Sequence, residues 1–386
     1  MPVKPARDAY IIGVGMVKYG RYPDKSVVDL ATEAVIAALK DANLTMKDIQ
    51  MVGSGNLSAP IGQAIMRSVG QTGVPVVNVS NACATGSTAC REAYFSVASG
   101  AFDIAMGIGS EQMGKAGLLG AGRIGAMGDL AYIPEGVMGS QLMPPVFSQW
   151  GVDHMRKYGT TFEDFARVAY KNHKNSVHNP YAQYQQEFSM EEIMNARMIS
   201  WPNTLYMCCP TGDGAGAVIY ASADKVRQLG LSSKAVKVAA CVLTSDPWSE
   251  SGNAILDINL CTRLAVKEAY EIAGIGPEDL DAVELHDCFA TAELLHYENM
   301  GLAPEGEGAR YLKEGKFDIG GKTAVNASGG LLSRGHPLGA TGACGISEIV
   351  WQLRGEAGGR QQPNAKVGLA HVIGLTSACT VNIMVK

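Results

Sequence analysis

The strongest constraint on this 386-residue chain is a repeat inside it. Laid over one another at a constant offset of 231 residues, the stretches Ala34 to Val52 and Ala265 to Val283 pair Ala34 with Ala265, Val35 with Val266, Ala38 with Ala269, Ala42 with Ala273, Asp48 with Asp279 and Val52 with Val283. Each copy reads as helix, turn and strand. The first runs from a helix over about Val27 to Ala42 through a turn to a strand at Met51–Gly53; the second from a helix near Thr262 to Ala273 to a strand at Ala282–Leu285. Apolar residues spaced by three and four give the helices, and short apolar runs give the strands. Two similar α/β halves follow, each with a parallel-rich sheet whose strands return through right-handed helical crossovers. Function belongs at their junction. Residues 113–209 match neither copy, carry many aromatics, methionines around 138 to 155 and His154, His173 and His178, and read as an insertion that supplies ligand-binding surface. The expected division is 1–112 plus 210–235, an inserted 113–209, and 236–386.

Composition excludes several classes. Charged residues make up 18% and glycine is abundant, at 46 residues, so a disordered chain or a coiled coil does not fit. The 32 basic and 37 acidic side chains leave −5, without a basic run interleaved with aromatics, which gives no nucleic-acid surface. Low charge with 17 methionines suits a large buried interior and an oligomer. No stretch approaches eighteen apolar residues, the start lacks a secretory signal, and the end is not a Ser-Lys-Leu address, so the expected location is cytoplasmic, without membrane insertion. Nine cysteines, an odd count without a C-x-x-C pair, fit a reducing compartment. Histidine and cysteine spacings give no metal site. Gly107-Ile108-Gly109 lacks the third glycine of a dinucleotide loop.

Four windows carry chemistry. The apolar strand Pro75–Val79 runs through Asn81-Ala82-Cys83-Ala84 into a helix through Tyr94 and Val97. That places Cys83 at a strand-to-helix turn, where amide N–H groups and the helix dipole favour thiolate and lower the pKa. The alternative is a small buried hydrophobe. A second window, Glu284-Leu285-His286-Asp287-Cys288-Phe289, lies at the carboxyl end of the second repeat's strand, where α/β sheets collect ligands, before a helix from Thr291 to Asn299. A satisfied histidine beside a packed cysteine is the other reading. The third, Asn326 to Gly342, is glycine-rich, then helical from about Leu338 with Pro337 at the first helical position; its His336 is held neutral at a helix start and able to accept a thiol proton. The fourth, Leu369 to Cys379, is a turn between apolar strands in which Gly374 presents its N–H inward.

Cys83, the run His286-Asp287-Cys288-Phe289 and the run Gly335-His336-Pro337, in that order, resemble the thiolase superfamily, and His-Asp-Cys-Phe is similar to the sterol-carrier-protein-2 (SCP-x) type, whose members include acetyl-CoA acetyltransferase-like enzymes. The similarity extends through Lys171–Lys174, Asn179–Tyr181 and Cys208–Gly214. It implies a five-layered α-β-α-β-α thiolase fold, a homodimer or homotetramer, and coenzyme A thioesters as substrates in lipid metabolism such as fatty acid β-oxidation. Coenzyme A is then substrate and product, with no permanently bound cofactor. The resemblance implies that Cys83 attacks a 3-oxoacyl-CoA while His336 takes the thiol proton, that Cys288 is the general acid and base, and that His286 with His336 binds the enolate oxygen. Amides of Cys83 and Gly374 would hold the oxyanion. Phe289 would line the pantetheine channel, and Lys171 and Lys174 would meet coenzyme A phosphates unless they form a solvated helix face. The usual final Cys-x-Gly is missing: Val372 stands in the cysteine's place, which shifts acid–base work to Cys288. Selectivity is expected around Gln141 to Trp150 and Trp201 to Tyr206. The main alternative is a retro-aldolase homologue acting on a branched or steroid side-chain acyl-CoA with an OB-fold (DUF35-like) partner; such relatives lose the catalytic Cys and His that this chain keeps. A decarboxylating ketoacyl synthase would not need Cys288, and a lipid carrier would need none of the four reactive side chains.

Overall fold

A computed structural model describes residues 5–114, 143–248, 257–375 and 378–386. Gln141 and the methionines before 143 lie outside them. The chain opens with β1 (Ala9–Met16), α1 (Val27–Ala42), β2 (Met51–Gly55), α2 (Gly62–Val69), β3 (Val76–Val79), α3 (Thr85–Ala98) and β4 (Ile104–Gln112). It continues with α4 (Met143–Tyr158), α5 (Phe162–Ser176), α6 (Met190–Asn195) and the small pair β5 (Met198–Ser200) and β6 (Asn203–Thr204). Then come β7 (Asp213–Ser222), α7 (Ala223–Gln228), β8 (Val236–Thr244), α8 (Ile258–Ala273), β9 (Ala282–Glu284), α9 (Ala290–Asn299), α10 (Gly308–Lys313), β10 (Ala324–Val325), α11 (Gly330–Arg334), α12 (Thr341–Arg354), β11 (Val367–Gly374) and β12 (Ala378–Val385).

The repeat is visible in the sheet. Ten strands run in the order β10-β9-β11-β12-β8-β1-β7-β4-β2-β3. Read outward from the centre, β1-β7-β4-β2-β3 and β8-β12-β11-β9-β10 are the same arrangement twice, with the same directions: antiparallel, antiparallel, parallel, parallel. The halves join through a short antiparallel contact, Tyr10 with Lys237 and Ile11 with Val236. The sheets are mixed rather than parallel-rich. In the second half three residues separate the antiparallel β11 and β12, and in the first the insertion stands between β4 and β7; neither needs the helical crossover that a parallel return demands.

Helix α1 starts where Ser26 and Asp29 form a capping box, and its buried stripe Leu30, Ala31, Ala34, Val35, Ala38 covers β1 and β7. Its counterpart α8, capped by the Asp257 side chain, covers β8 and β12. Between the two half-sheets lie α3 and α12, packed on each other. That contact is close because a glycine stands on each helix: a Cβ on Gly342 would overlap Ser87 of α3, and one on Gly86 of α3 would overlap the Gly339 carbonyl oxygen just before α12. Helix α12 begins at Thr341, not Leu338. Pro337 instead heads a turn whose carbonyl accepts the amides of Ala340 and Thr341, at 2.9 and 3.0 Å. No helix among the described residues is long and apolar enough to cross a membrane.

Candidate active site

Loops at the carboxyl ends of the strands converge between the halves. Cys83 sits between β3 and α3, directly after Ala82, whose φ of +46° is unusual for a residue with a Cβ. The turn is held by Thr85, whose hydroxyl donates to the Ala82 carbonyl at 2.6 Å and accepts the Asn81 amide at 2.8 Å. From the other half the β11–β12 hairpin presses in; a Cβ on Gly374 would overlap the Asn81 carbonyl oxygen, so this approach requires glycine.

Cys83 Sγ and one ring nitrogen each of His286 and His336 lie within 4.8 Å of one another, all three residues buried. The two imidazoles meet edge to face, centroids 4.9 Å apart. His336 has a fixed tautomer. Thr341 Oγ1 gives its single hydrogen to the Pro337 carbonyl at 3.0 Å, so it can only accept at its 2.8 Å contact with His336 Nδ1. Nδ1 therefore carries the proton, and Nε2, which has no partner among the described residues, presents a lone pair. Neither ring nitrogen of His286 has a hydrogen-bond partner among the described residues. Buried polar atoms left open in this way are where a bound molecule completes the hydrogen bonding.

Burial depresses His286 to about 3 and holds His336 well below its usual value, with His286 and Arg334 adding to the second effect. Both are neutral bases. Burial also pushes the Cys83 thiol up to about 12, against the lowering expected from a helix start; Glu111 adds to the rise. Two amides donate toward the sulfur, its own and that of Leu375, but loss of water outweighs them. The resting pair is thus thiol and imidazole, not thiolate and imidazolium. The hairpin amide on the sulfur belongs to Leu375, while neighbouring Gly374 provides the space.

Cys288 is 4% exposed, and its thiol is raised by burial and then by the nearby Cys209 and Cys83. Its carbonyl accepts the Cys209 amide at 2.9 Å, which ties the loop to the chain entering β7. Phe289 is buried, its ring 5.1 Å from that of Phe147 on α4, and Phe147 lies 6.4 Å from His286. Val372 packs in the small apolar cluster around Cys83, and Cys379 pairs with Ile373 further along the strand.

Asp287 locks the loops together. Its carboxylate accepts the amides of Leu331 and Leu332, at 2.7 and 3.2 Å, at the start of α11, the helix that leads to His336. Asn172 Nδ2 donates to Asp287 and to Glu293, at 2.8 and 2.6 Å, and Lys171 pairs with Glu293 at 2.9 Å. Lys171 is therefore not a phosphate contact. It is 4% exposed and neutralises a fully buried carboxylate, which a sequence cannot distinguish from a lysine facing water. His173 also turns inward, to Ser333 Oγ and the Tyr206 carbonyl, while Lys174 is exposed. Sequence reasoning passes over Thr341, Asp287 as an anchor, and Glu111; Asp287 and Thr341 lie inside flagged runs, whereas Glu111 carries no local signal.

The chain has recognisable relatives. Residues 9–195 match the family described as Thiolase, N-terminal domain, and residues 252–385 that described as Thiolase C-terminal domain-like. Sterol carrier protein 2 of Homo sapiens is 42% identical over 407 residues, covering 99% of this chain and 73% of the relative. Benzoylsuccinyl-CoA thiolase subunit BbsB of Thauera aromatica is 38% identical over 377 residues, 96% of each chain. Among solved structures, the Ltp2-ChsH2(DUF35) aldolase superposes with a TM-score of 0.85 at 24% identity over 98% of both chains, a likeness of fold.

Proposed function

The chain belongs to the thiolase family and is an acyltransferase of that kind, and on that premise we propose that it cleaves 3-oxoacyl-CoA thioesters, or forms them by the reverse Claisen condensation, through an acyl group carried on Cys83. One observation carries this reading: a buried thiol within 4.8 Å of two imidazole nitrogens, beside imidazole atoms that no group among the described residues satisfies.

Each step follows from the groups present. His336 Nε2 takes the Cys83 proton as the sulfur attacks the 3-oxo carbon, so charge develops only with substrate in place. The oxyanion forms where the amide of Cys83 and the hairpin amides at Gly374 and Leu375 can donate. The carbon–carbon bond breaks, the acyl group stays on Cys83, and the enolate of acetyl-CoA is left. His286 and His336 hydrogen-bond its oxygen, and Cys288 protonates its carbon. Coenzyme A then takes the acyl group from Cys83. Val372 leaves the usual acid–base position apolar, which supports assigning that work to Cys288. The buried Phe147 and Phe289 form an apolar wall for the pantetheine arm. Lys174 is the remaining basic candidate for a coenzyme A phosphate.

A homodimer, a role in lipid breakdown and an OB-fold partner belong to the same reading. The partner is suggested by the aldolase whose fold this chain shares; the retro-aldol reaction itself is less well supported, because Cys83 and His336 are both present and assembled. Acetoacetyl-CoA with free coenzyme A tests the proposal. Wild type should release acetyl-CoA, and Cys288→Ala should acylate from acetyl-CoA yet fail to cleave acetoacetyl-CoA. Normal cleavage by Cys288→Ala would remove the acid–base assignment.

A further inference from the structure

We propose that His371 is a positioning residue of this site: its Nδ1 lone pair takes the backbone N–H of His286 where β9 leaves the sheet, and so sets where the His286 imidazole stands beside Cys83. Strand β9 lies between β10 and β11, and its ladder with β11 ends at Ala370 paired with Glu284. The next two amides of the departing chain, those of Leu285 and His286, still need acceptors in a dry interior. Each is met by a side chain from one neighbour. Asn326, just after β10, accepts the Leu285 amide through Oδ1 at 2.9 Å, and His371, in β11, faces the His286 amide through Nδ1 at 3.4 Å. Side chains thus replace the ladder, freeing the backbone to turn and present His286 and Cys288.

The tautomer of His371 follows from its other side. Thr262 Oγ1 donates its hydrogen to the Ile258 carbonyl at 2.8 Å, so at its 3.3 Å contact with His371 Nε2 it accepts. Nε2 carries the proton and Nδ1 is free to receive the amide. His296 stacks edge to face on His371, centroids 4.9 Å apart; burial first, and then the neighbouring imidazoles of His296 and His286, disfavour a cationic His371. A neutral acceptor is what this place requires, because a protonated Nδ1 would oppose the His286 N–H.

The kinetic effect of His371 rests on the thiolase reading above; its grip on the His286 amide does not. The test compares His371→Leu, which removes the acceptor, with His371→Asn, whose Oδ1 stands near the position of Nδ1. Hydrogen exchange of the peptide containing His286 is measured beside steady-state cleavage of acetoacetyl-CoA. His371→Leu should exchange this amide at least about tenfold faster and lose about 10²-fold in kcat, with KM changed less than about threefold, the size expected when a reacting group is misplaced by about 1 Å. His371→Asn should recover protection and most of the rate. Unchanged exchange and kcat in His371→Leu, or a folded His371→Asn as impaired as His371→Leu, would overturn the proposal. Should His371→Leu fail to fold, protection of the His286 amide in His371→Asn decides: kept supports, lost overturns. Failure of wild type to cleave acetoacetyl-CoA would count against the thiolase reading alone, with exchange still deciding the role of His371.

Discussion

At the carboxyl end of β2, the backbone of Leu57 is caught by a carboxylate, Glu111, which also receives Asn56 and Ser58; at the equivalent end of β9, the departing amides are caught by the neutral Asn326 and His371. The strands correspond, yet their ends are built for different work. The first half contributes one sulfur on a tight turn, whose pKa is raised by burial and then a little further by the nearby Glu111 carboxylate, which keeps the proton on until a substrate arrives. The second half contributes the groups that move protons, His286, Cys288 and His336. Duplication supplied two equivalent sets of loop ends that meet around Cys83, and only one set became the proton-handling side.

If that division is right, the largest effect comes from the first half. Cys83→Ala should lose at least about 10⁴-fold in cleavage and in acyl transfer from simple thioesters alike, as removal of a nucleophile does. Cys288→Ala should split the steps: carbon–carbon cleavage falls by about 10²–10⁴-fold, the usual contribution of a general acid or base, while acylation from acetyl-CoA persists. Equal loss of both steps in Cys288→Ala would break the comparison.

Stability distinguishes the two faces of α5 next, the one turned to the second half's loops and the one turned to solvent. Lys171→Met strands the buried Glu293 charge and should destabilise by about 3–5 kcal/mol in denaturant unfolding. Lys174→Ala, on the exposed face of the same helix, should change stability by less than about 0.5 kcal/mol. A smaller effect appears in the pH profile. His336 is depressed, so its base form survives acidification: kcat/KM should hold down to pH 6.5 and fall only well below it. The Cys83 thiol lies near 12, so little of the free enzyme is thiolate at neutral pH and the fraction climbs about tenfold per pH unit. Alkylation by iodoacetamide should be slow at pH 7 and gain about 100-fold by pH 9 without a plateau, whereas a resting thiolate would already have levelled off. Thr341→Val removes the acceptor that fixes His336 and should lower kcat about tenfold, in line with about 1–3 kcal/mol for one unsatisfied buried donor.

The fold was legible where the chain repeats itself. The helix over Val27–Ala42 and the strand from Met51 could be read because periodicity and capping act within a few residues. The antiparallel central strands could not, since β7 and β12 owe their direction to how distant segments connect. In the site, Cys83, His286, Cys288 and His336 stand in short runs recognisable by type and order. Their protonation did not follow, because helix position is local and desolvation is not. Lys171 was misread for the same reason: a helix sequence does not say which side meets Glu293. Thr341 and His371 stayed hidden, as each acts through one lone pair or proton that only coordinates locate.

Peptide-mapping mass spectrometry after mixing with acetyl-CoA reads the central claim most directly, in wild type and in Cys288→Ala. An acetyl group on Cys83 in both proteins, and none in Cys83→Ala, is the expected result. Acetylation of Cys209 or Cys288 instead, or an unmodified Cys83 in wild type, would contradict it.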